Sequence, residues 1–187
     1  MYSTNEFRKG LKIEHTGKPF VIVDFQFVNP GKGSAFVRTK LKNLETGQVI
    51  EITYKSGEKV PRAELEARDL QYLYNDGETY TFMDTGTYEQ YTLTKDELGD
   101  AKMFIIEDSI VRVTFFKSKP VAVELDNFVE LEVVDTPPNI KGDTSGGGGK
   151  PATLKTGLVV TVPFHISIGD ILKIDTRTSG YVEKVKK

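Results

Sequence analysis

Pro19-Phe20-Val21-Ile22-Val23-Asp24-Phe25-Gln26-Phe27-Val28, Asn29-Pro30-Gly31-Lys32-Gly33-Ser34 and Ala35-Phe36-Val37-Arg38-Thr39-Lys40-Leu41 are consecutive, and their reading decides the fold class. The first run is rich in β-branched and aromatic residues, and from Val23 to Phe27 it alternates apolar with polar. That period of two puts successive side chains on opposite faces of a strand. The Pro and Gly cluster then breaks the run, and the alternation resumes at Ala35. Strand, Gly-rich tip, strand is the signature of a hairpin.

The same grammar extends along the chain. Strands are expected at Val49–Lys55, Gln71–Tyr74, Thr79–Met83, Tyr88–Leu93, Ile110–Phe116, Ala122–Leu125, Phe128–Val134, Thr156–Val162, Ile171–Thr176 and Tyr181–Val185. Asn75-Asp76-Gly77 is a strong turn between the second and third of these. Helix signals are few. Thr94-Lys95-Asp96-Glu97 has the spacing of a capping box, with Leu98, Ala101, Phe104 and Ile105 following at helical spacing, so one short helix is expected within 94–107. Ser3 to Arg8 suits a single turn. Many short strands with frequent turns make the protein all-β.

The 187 residues allow more than one unit if the units are barrels of about 60 residues. Gly57-Glu58-Lys59-Val60-Pro61-Arg62 ends one run of strands; Ser118-Lys119-Pro120, followed by Asp126-Asn127, ends another. The expected division is therefore 1–63, 64–126 and 127–187. Cores this small lean on one another, so close packing is expected between at least the first two. Units of this size fit small SH3-like or OB barrels.

Composition removes several function classes. With no Cys there is no disulfide framework, Cys-ligated zinc or thiol nucleophile. Two His, His15 and His165, leave little for metal or His-based acid–base chemistry. No apolar run approaches the roughly 20 residues of a membrane helix, and the N-terminus does not read as a signal peptide. The formal net charge of −2 argues against nucleic acid as a partner until it is divided. Residues 1–63 hold 11 Lys and Arg against 6 Asp and Glu, giving +5. Residues 64–126 hold 6 against 14, giving −8, and residues 127–187 hold 8 against 7, giving +1. The first unit carries the electrostatic footprint that suits phosphate, and the acidic middle unit is most simply a solvated face.

Two glycine motifs fail as phosphate loops. In Gly142-Asp143-Thr144-Ser145-Gly146-Gly147-Gly148-Gly149-Lys150-Pro151, Thr144 stands where the first Gly is needed and Pro151 where Ser or Thr is needed. That stretch reads as a loop between two barrel strands. Gly31-Lys32-Gly33 has Phe36 at the third glycine position and no helix after it. No nucleophile elbow or metal spacing is present; His15 reads as a turn residue and His165 as a barrel-rim residue. The informative residue is Lys32, a cation between two glycines at a hairpin tip, with Arg38, Lys40 and Lys42 on the returning strand as candidate RNA contacts. It suits insertion into a crevice beside phosphate, and equally an ordinary solvated Lys in a tight turn; from the residues alone both readings stand.

The same residues resemble the bacterial elongation factor P family over the whole chain. The resemblance is carried by Asn5-Glu6-Phe7-Arg8-Lys9-Gly10-Leu11, by Phe27 through Phe36 around the tip, by Gln71-Tyr72-Leu73-Tyr74-Asn75-Asp76-Gly77 and by Phe128-Val129-Glu130-Leu131. Its most specific piece is Lys150-Pro151-Ala152 with Gly157, Val160, Val162-Pro163, Ile166 and Gly169, followed by Asp175-Thr176-Arg177. The resemblance implies an SH3-like barrel and two OB-type barrels in an L shaped like tRNA. It implies a cytoplasmic, monomeric, non-enzymatic factor without a cofactor. Such a factor binds the ribosome between the peptidyl and exit sites, contacts peptidyl-tRNA and relieves stalling at consecutive prolines. The tip loop would be Pro30, Gly31, Gly33 and Ser34 around Lys32, the target of a modifying enzyme. Gly142, Asp143 and Thr144 would face the small subunit and the exit-site codon. Asn29 and Ser34 depart from the family's usual tip. Two rivals are a single-strand binder using Tyr88, Tyr91, Phe115 and Phe116, and an enzyme using His165 or a carboxylate pair.

Overall fold

The alternation that predicts the hairpin also sets what it buries. In the strand Phe36–Asn43, Val37, Thr39 and Leu41 are buried while Arg38, Lys40 and Lys42 are exposed. The computed structural model describes residues 1–139 and 148–186, and these form strands in three successive sheet systems. Gly142, Asp143 and Thr144 lie outside the described residues.

The first system is a four-stranded antiparallel meander of β2 (Lys12–His15), β3 (Lys18–Val28), β4 (Phe36–Asn43) and β5 (Val49–Lys55). A short pair, β1 (Tyr2–Ser3) with β6 (Lys59–Val60), accompanies it, as expected of an SH3-like barrel. Its core includes Phe7, Ile13, Ile22, Val37 and Leu41. The turn read at Ser3 to Arg8 is a 3-10 turn at Thr4–Glu6, capped reciprocally by Ser3 and Glu6.

The second system contains β7 (Leu65–Asn75), β8 (Thr79–Met83), β9 (Gln90–Thr94), β10 (Ile110–Phe116) and β11 (Lys119–Glu124), in the order β11-β10-β7-β8-β9. The third contains β12 (Phe128–Asp135), β13 (Lys150–Leu154), β14 (Val159–Val162), β15 (Ile171–Asp175) and β16 (Gly180–Lys184), in the order β14-β13-β12-β15-β16. The two orders are the same plan: the first strand of each unit is central, its second and third strands lie on one side, and its fourth and fifth on the other. β9 approaches β11, and β14 approaches β16, which curls each sheet toward the closed five-stranded barrel of an OB fold.

The segment 94–107 opens with the expected capping box, Thr94 and Glu97 bonding each other's backbone N–H. The α-helix α1 lasts only from Lys95 to Leu98, because Gly99 takes φ +56°, and a 3-10 turn follows to Met103. The apolar residues explain the break. Leu98, Ala101 and Ile105 enter the second core, whereas Phe104 enters the third. One straight helix cannot present one stripe to two cores.

Four strands were not apparent in the sequence: the short β1 and β6, and β2 and β13. The strand expected from Thr156 begins only at Val159, after a turn at Gly157. Lys150-Pro151 reads as a loop end, yet it pairs with Val162 and Thr161 as the start of β13. Lys150 is buried, and its ammonium donates a 2.6 Å hydrogen bond to the Pro137 carbonyl. Gly149 is needed before it, since a Cβ there would lie 2.7 Å from the Val162 carbonyl oxygen. Among the described residues no helix is long and apolar enough to cross a membrane.

Candidate functional site: the hairpin tip of the first barrel

The β3–β4 ladder closes on the pair Val28 and Phe36, so residues 29–35 form the loop beyond it. Gly31, Lys32, Gly33 and Ser34 are all exposed, and Pro30 is partly so. Gly33 takes φ +107°, which a side chain would strain, whereas Gly31 has an ordinary φ. The tip thus needs its second glycine for backbone geometry and its first only for slimness. Lys32 takes part in none of the ion pairs among the described residues. The loop is anchored on its return side, where the Ser56 N–H donates to the Ala35 carbonyl at 3.1 Å.

The hairpin outruns its core. Beyond the bulge between Ile22 and Asp24, β3 is solvated or half-buried, and Phe27 is 52% exposed. Phe25 and Phe27 lean edge to face with centroids 5.6 Å apart. Such a pair stiffens one face of the projection at little entropic cost. On the other face, the Arg38 guanidinium carbon sits 5.9 Å from the centre of the Phe36 ring.

Arg38, Lys40 and Lys42 share the outer face of β4, as their spacing of two requires. The register separates them. Lys40 is directly opposite Asp24 on β3 and Glu51 on β5 in the strand register, so two acids flank it, although the Asp24 carboxylate pairs with Lys9 at 4.0 Å. Arg38 faces Gln26 and Thr53, and Lys42 faces Val21 and Val49, so neither has an acid directly across. The register also brings in Lys55, opposite Phe36 and exposed at the tip end of β5. Sequence spacing alone does not find Lys55, because it lies on a different strand.

The other residues singled out in the sequence do not assemble into a site. His165 is exposed after β14, and His15 packs edge-on against Phe20 at 5.6 Å. No group of three or more His, Cys, Asp or Glu suited to a metal ion occurs among the described residues. Of the four aromatics that would serve a single-strand binder, Phe115 and Phe116 are buried. Tyr91 is packed edge-on against Phe115 at 5.0 Å and accepts a hydrogen bond from Arg68. Tyr88 alone is strongly exposed. A row of stacking platforms is not formed.

Comparison with known proteins agrees with this geometry. Residues 3–60 match the elongation factor P (EF-P) KOW-like domain, residues 65–123 the elongation factor P (EF-P) OB domain, and residues 129–184 the elongation factor P C-terminal domain. The chain is 57% identical over 185 residues to elongation factor P of Carboxydothermus hydrogenoformans, covering 99% of this chain and 100% of that one. It is 56% identical to that of Pelotomaculum thermopropionicum, with the same coverage. Among solved structures, the initiation factor 5A of Methanococcus jannaschii superposes with a TM-score of 0.51 at 23% identity, covering 65% of this chain and 94% of that one, a likeness of fold. Matched in every unit and over its full length, the chain belongs to the elongation factor P family and is a translation elongation factor.

Proposed function

We propose that this factor binds the ribosome between the peptidyl and exit sites, beside peptidyl-tRNA, and promotes peptide-bond formation at consecutive prolines. Lys32, extended by a modifying enzyme, is the residue that acts. The observation that carries this reading is the placement of Lys32: an exposed cation, unpaired among the described residues, at the apex of a slim hairpin on the basic unit of the chain.

Proline has a fixed φ and a secondary amine, so it is a poorly placed partner in peptidyl transfer. Losing near-attack geometry by about 1 Å costs on the order of a hundredfold in rate. The factor supplies no acid, base or cofactor in this reading. It holds the acceptor end of peptidyl-tRNA through charge and shape, and the ribosome performs the chemistry. Arg38, Lys42 and Lys55 supply backbone phosphate contacts, with Lys40 a weaker contributor because Asp24 and Glu51 oppose it. Gly142, Asp143 and Thr144 serve the small-subunit side, and units 1–63, 64–126 and 127–187 act as one monomer in the cytoplasm, shaped like the tRNA beside it.

The test is Lys32→Ala in a strain lacking its own factor. The variant should fold as the parent does, since Lys32 touches no core, yet fail to restore a polyproline reporter. Full rescue by Lys32→Ala sinks the reading. Intact mass of the natively purified chain, before and after Lys32→Ala, locates the modification.

A further inference from the structure

The end of the first barrel opposite the tip is gripped by the second barrel. Lys117 and Ser118 form the two-residue turn between β10 and β11, and both take positive φ, +49° and +65°, as a type I′ turn requires. Neither is the Gly or Asn that such turns favour. The Lys117 ammonium reaches Glu14 on β2 at 2.7 Å and lies over the Phe116 ring, 5.2 Å from its centre. One strand residue further on, Lys119 reaches Glu45 at 3.8 Å. Glu45 lies in the β4–β5 turn, is largely buried, and is shared with Lys18 at 3.9 Å.

An apolar contact also crosses the joint: Ala63 of the linker is buried in one cluster with Phe116 and Val121 of the second barrel, with Leu65 and Ala122 packed beside them. Pro61 accepts from the Glu14 N–H at 2.9 Å, the Ala63 N–H donates to the Lys12 carbonyl, and Arg62 bridges to Ile13. The backbone of residues 61–63 is therefore tied to the first barrel. β7 begins at Leu65, so Glu64 is the single residue between the two bodies.

The geometry points to Lys117 and Lys119 as positioning residues for Lys32, acting by fixing the angle between the first two barrels through Glu14 and Glu45. This rests on the proposed role of Lys32. Lys18 lies at the gripped end of β3, and the strand runs eleven residues toward the tip. At about 3.4 Å per residue the lever is roughly 37 Å long, so a rotation of about 5° at the joint moves the tip by about 3 Å. That exceeds the roughly 1 Å within which oriented reactions lose most of their advantage. The interbarrel pairs are modest in themselves, since Lys117 and Lys119 are largely exposed; the non-directional apolar contact of Ala63, Phe116 and Val121 holds the barrels together, and the ion pairs choose among the orientations that contact permits.

The chain has no Cys, so two introduced cysteines can be spin-labelled cleanly. Labels at Ser56→Cys in the first barrel and Thr92→Cys in the second report the interbarrel distance distribution. The parent should give one narrow distribution. Lys117→Glu, and Lys117→Met, which keeps the stem without the charge, should broaden it and lower polyproline reporter output at least about tenfold. The swap Glu14→Lys with Lys117→Glu should restore both. The proposal is overturned if Lys117→Glu leaves the distribution unchanged, if the distribution broadens while reporter output is kept, or if the swap restores neither. Lys32→Ala run in parallel separates the two readings. If Lys32→Ala retains full activity, the role of the tip fails, while the label distances still judge the joint.

Discussion

The Thr156 hydroxyl donates a 2.7 Å hydrogen bond to the Met103 carbonyl, joining residues 53 apart in sequence across the second and third barrels. Met103 ends the 3-10 turn after α1, and the next residue, Phe104, is buried in the core that Leu131, Leu154 and Ile174 form. The third barrel therefore completes its interior with an aromatic ring lent by the second.

Phe104→Ala should destabilise the third barrel by about 3–4 kcal/mol, the cost of emptying a buried Phe site. Thr156→Val should cost about 1 kcal/mol by orphaning the Met103 carbonyl. Hydrogen exchange resolved by segment checks this. Protection should fall first in β12 to β16, and an equal fall throughout the chain would contradict a lent ring.

The Tyr54 hydroxyl is buried without a hydrogen-bond partner, and desolvation, aided by the nearby Glu58 carboxylate, pushes its pKa up to about 12. The native state then holds a proton that the unfolded chain releases near pH 10, so this stabilisation is present below pH 10 and is lost as pH rises toward 12. Tyr54→Phe should remove that alkaline loss and raise stability at neutral pH by about 1 kcal/mol. Thermal melts of both chains between pH 8 and 12 measure it.

Asp170 accepts the Ser167 N–H at 2.8 Å and faces Lys184 at 3.3 Å, and these hold its carboxyl below the usual Asp range. A depressed carboxyl stabilises the fold above its unfolded value, near pH 4, and the gain disappears as pH falls through the native value. Asp170→Asn should flatten the acid limb of the third barrel's stability curve. An unchanged limb, followed by denaturant melts from pH 6 to 2, would contradict the assignment.

Ser118 pays for a positive φ that glycine adopts freely. Ser118→Gly keeps the Lys117 side chain and should raise stability by about 0.5–1 kcal/mol, after the glycine's added entropy in the unfolded chain is subtracted. A lower melting temperature would show that the turn is not strained.

If the tip unit lies against RNA, Arg38→Ala should weaken ribosome co-sedimentation more than Lys40→Ala, because Asp24 and Glu51 stand opposite Lys40 in the strand register. The difference should shrink as salt rises. Equal losses would mean that the register-paired acids turn away in the bound state.

Much of this was legible in the chain itself. Alternation in Val23 to Phe27 and Ala35 to Leu41, broken by Asn29 to Ser34, places the hairpin and puts Lys32 at its tip, because a period of two and a Pro-Gly break are local properties. The capping box at Thr94 is local too. β13 was hidden, since Lys150-Pro151 carries a turn's composition, and only pairing with β14 makes it a strand. The length of the helix was also out of reach: Leu98, Ala101, Phe104 and Ile105 have one spacing but serve two cores.

The sequence by itself determined the all-β class, the hairpin and the basic character of the unit that bears Lys32, because these follow from residues within a few positions of one another. Only the tertiary structure decided that Lys40 faces two acids while Arg38 faces none, that Lys150 is buried, and that Lys117 grips Glu14, 103 positions away. Strand register and barrel contact are cooperative products of the whole chain. Coulomb and packing energies fall off with distance through space, and distance along the sequence does not measure that.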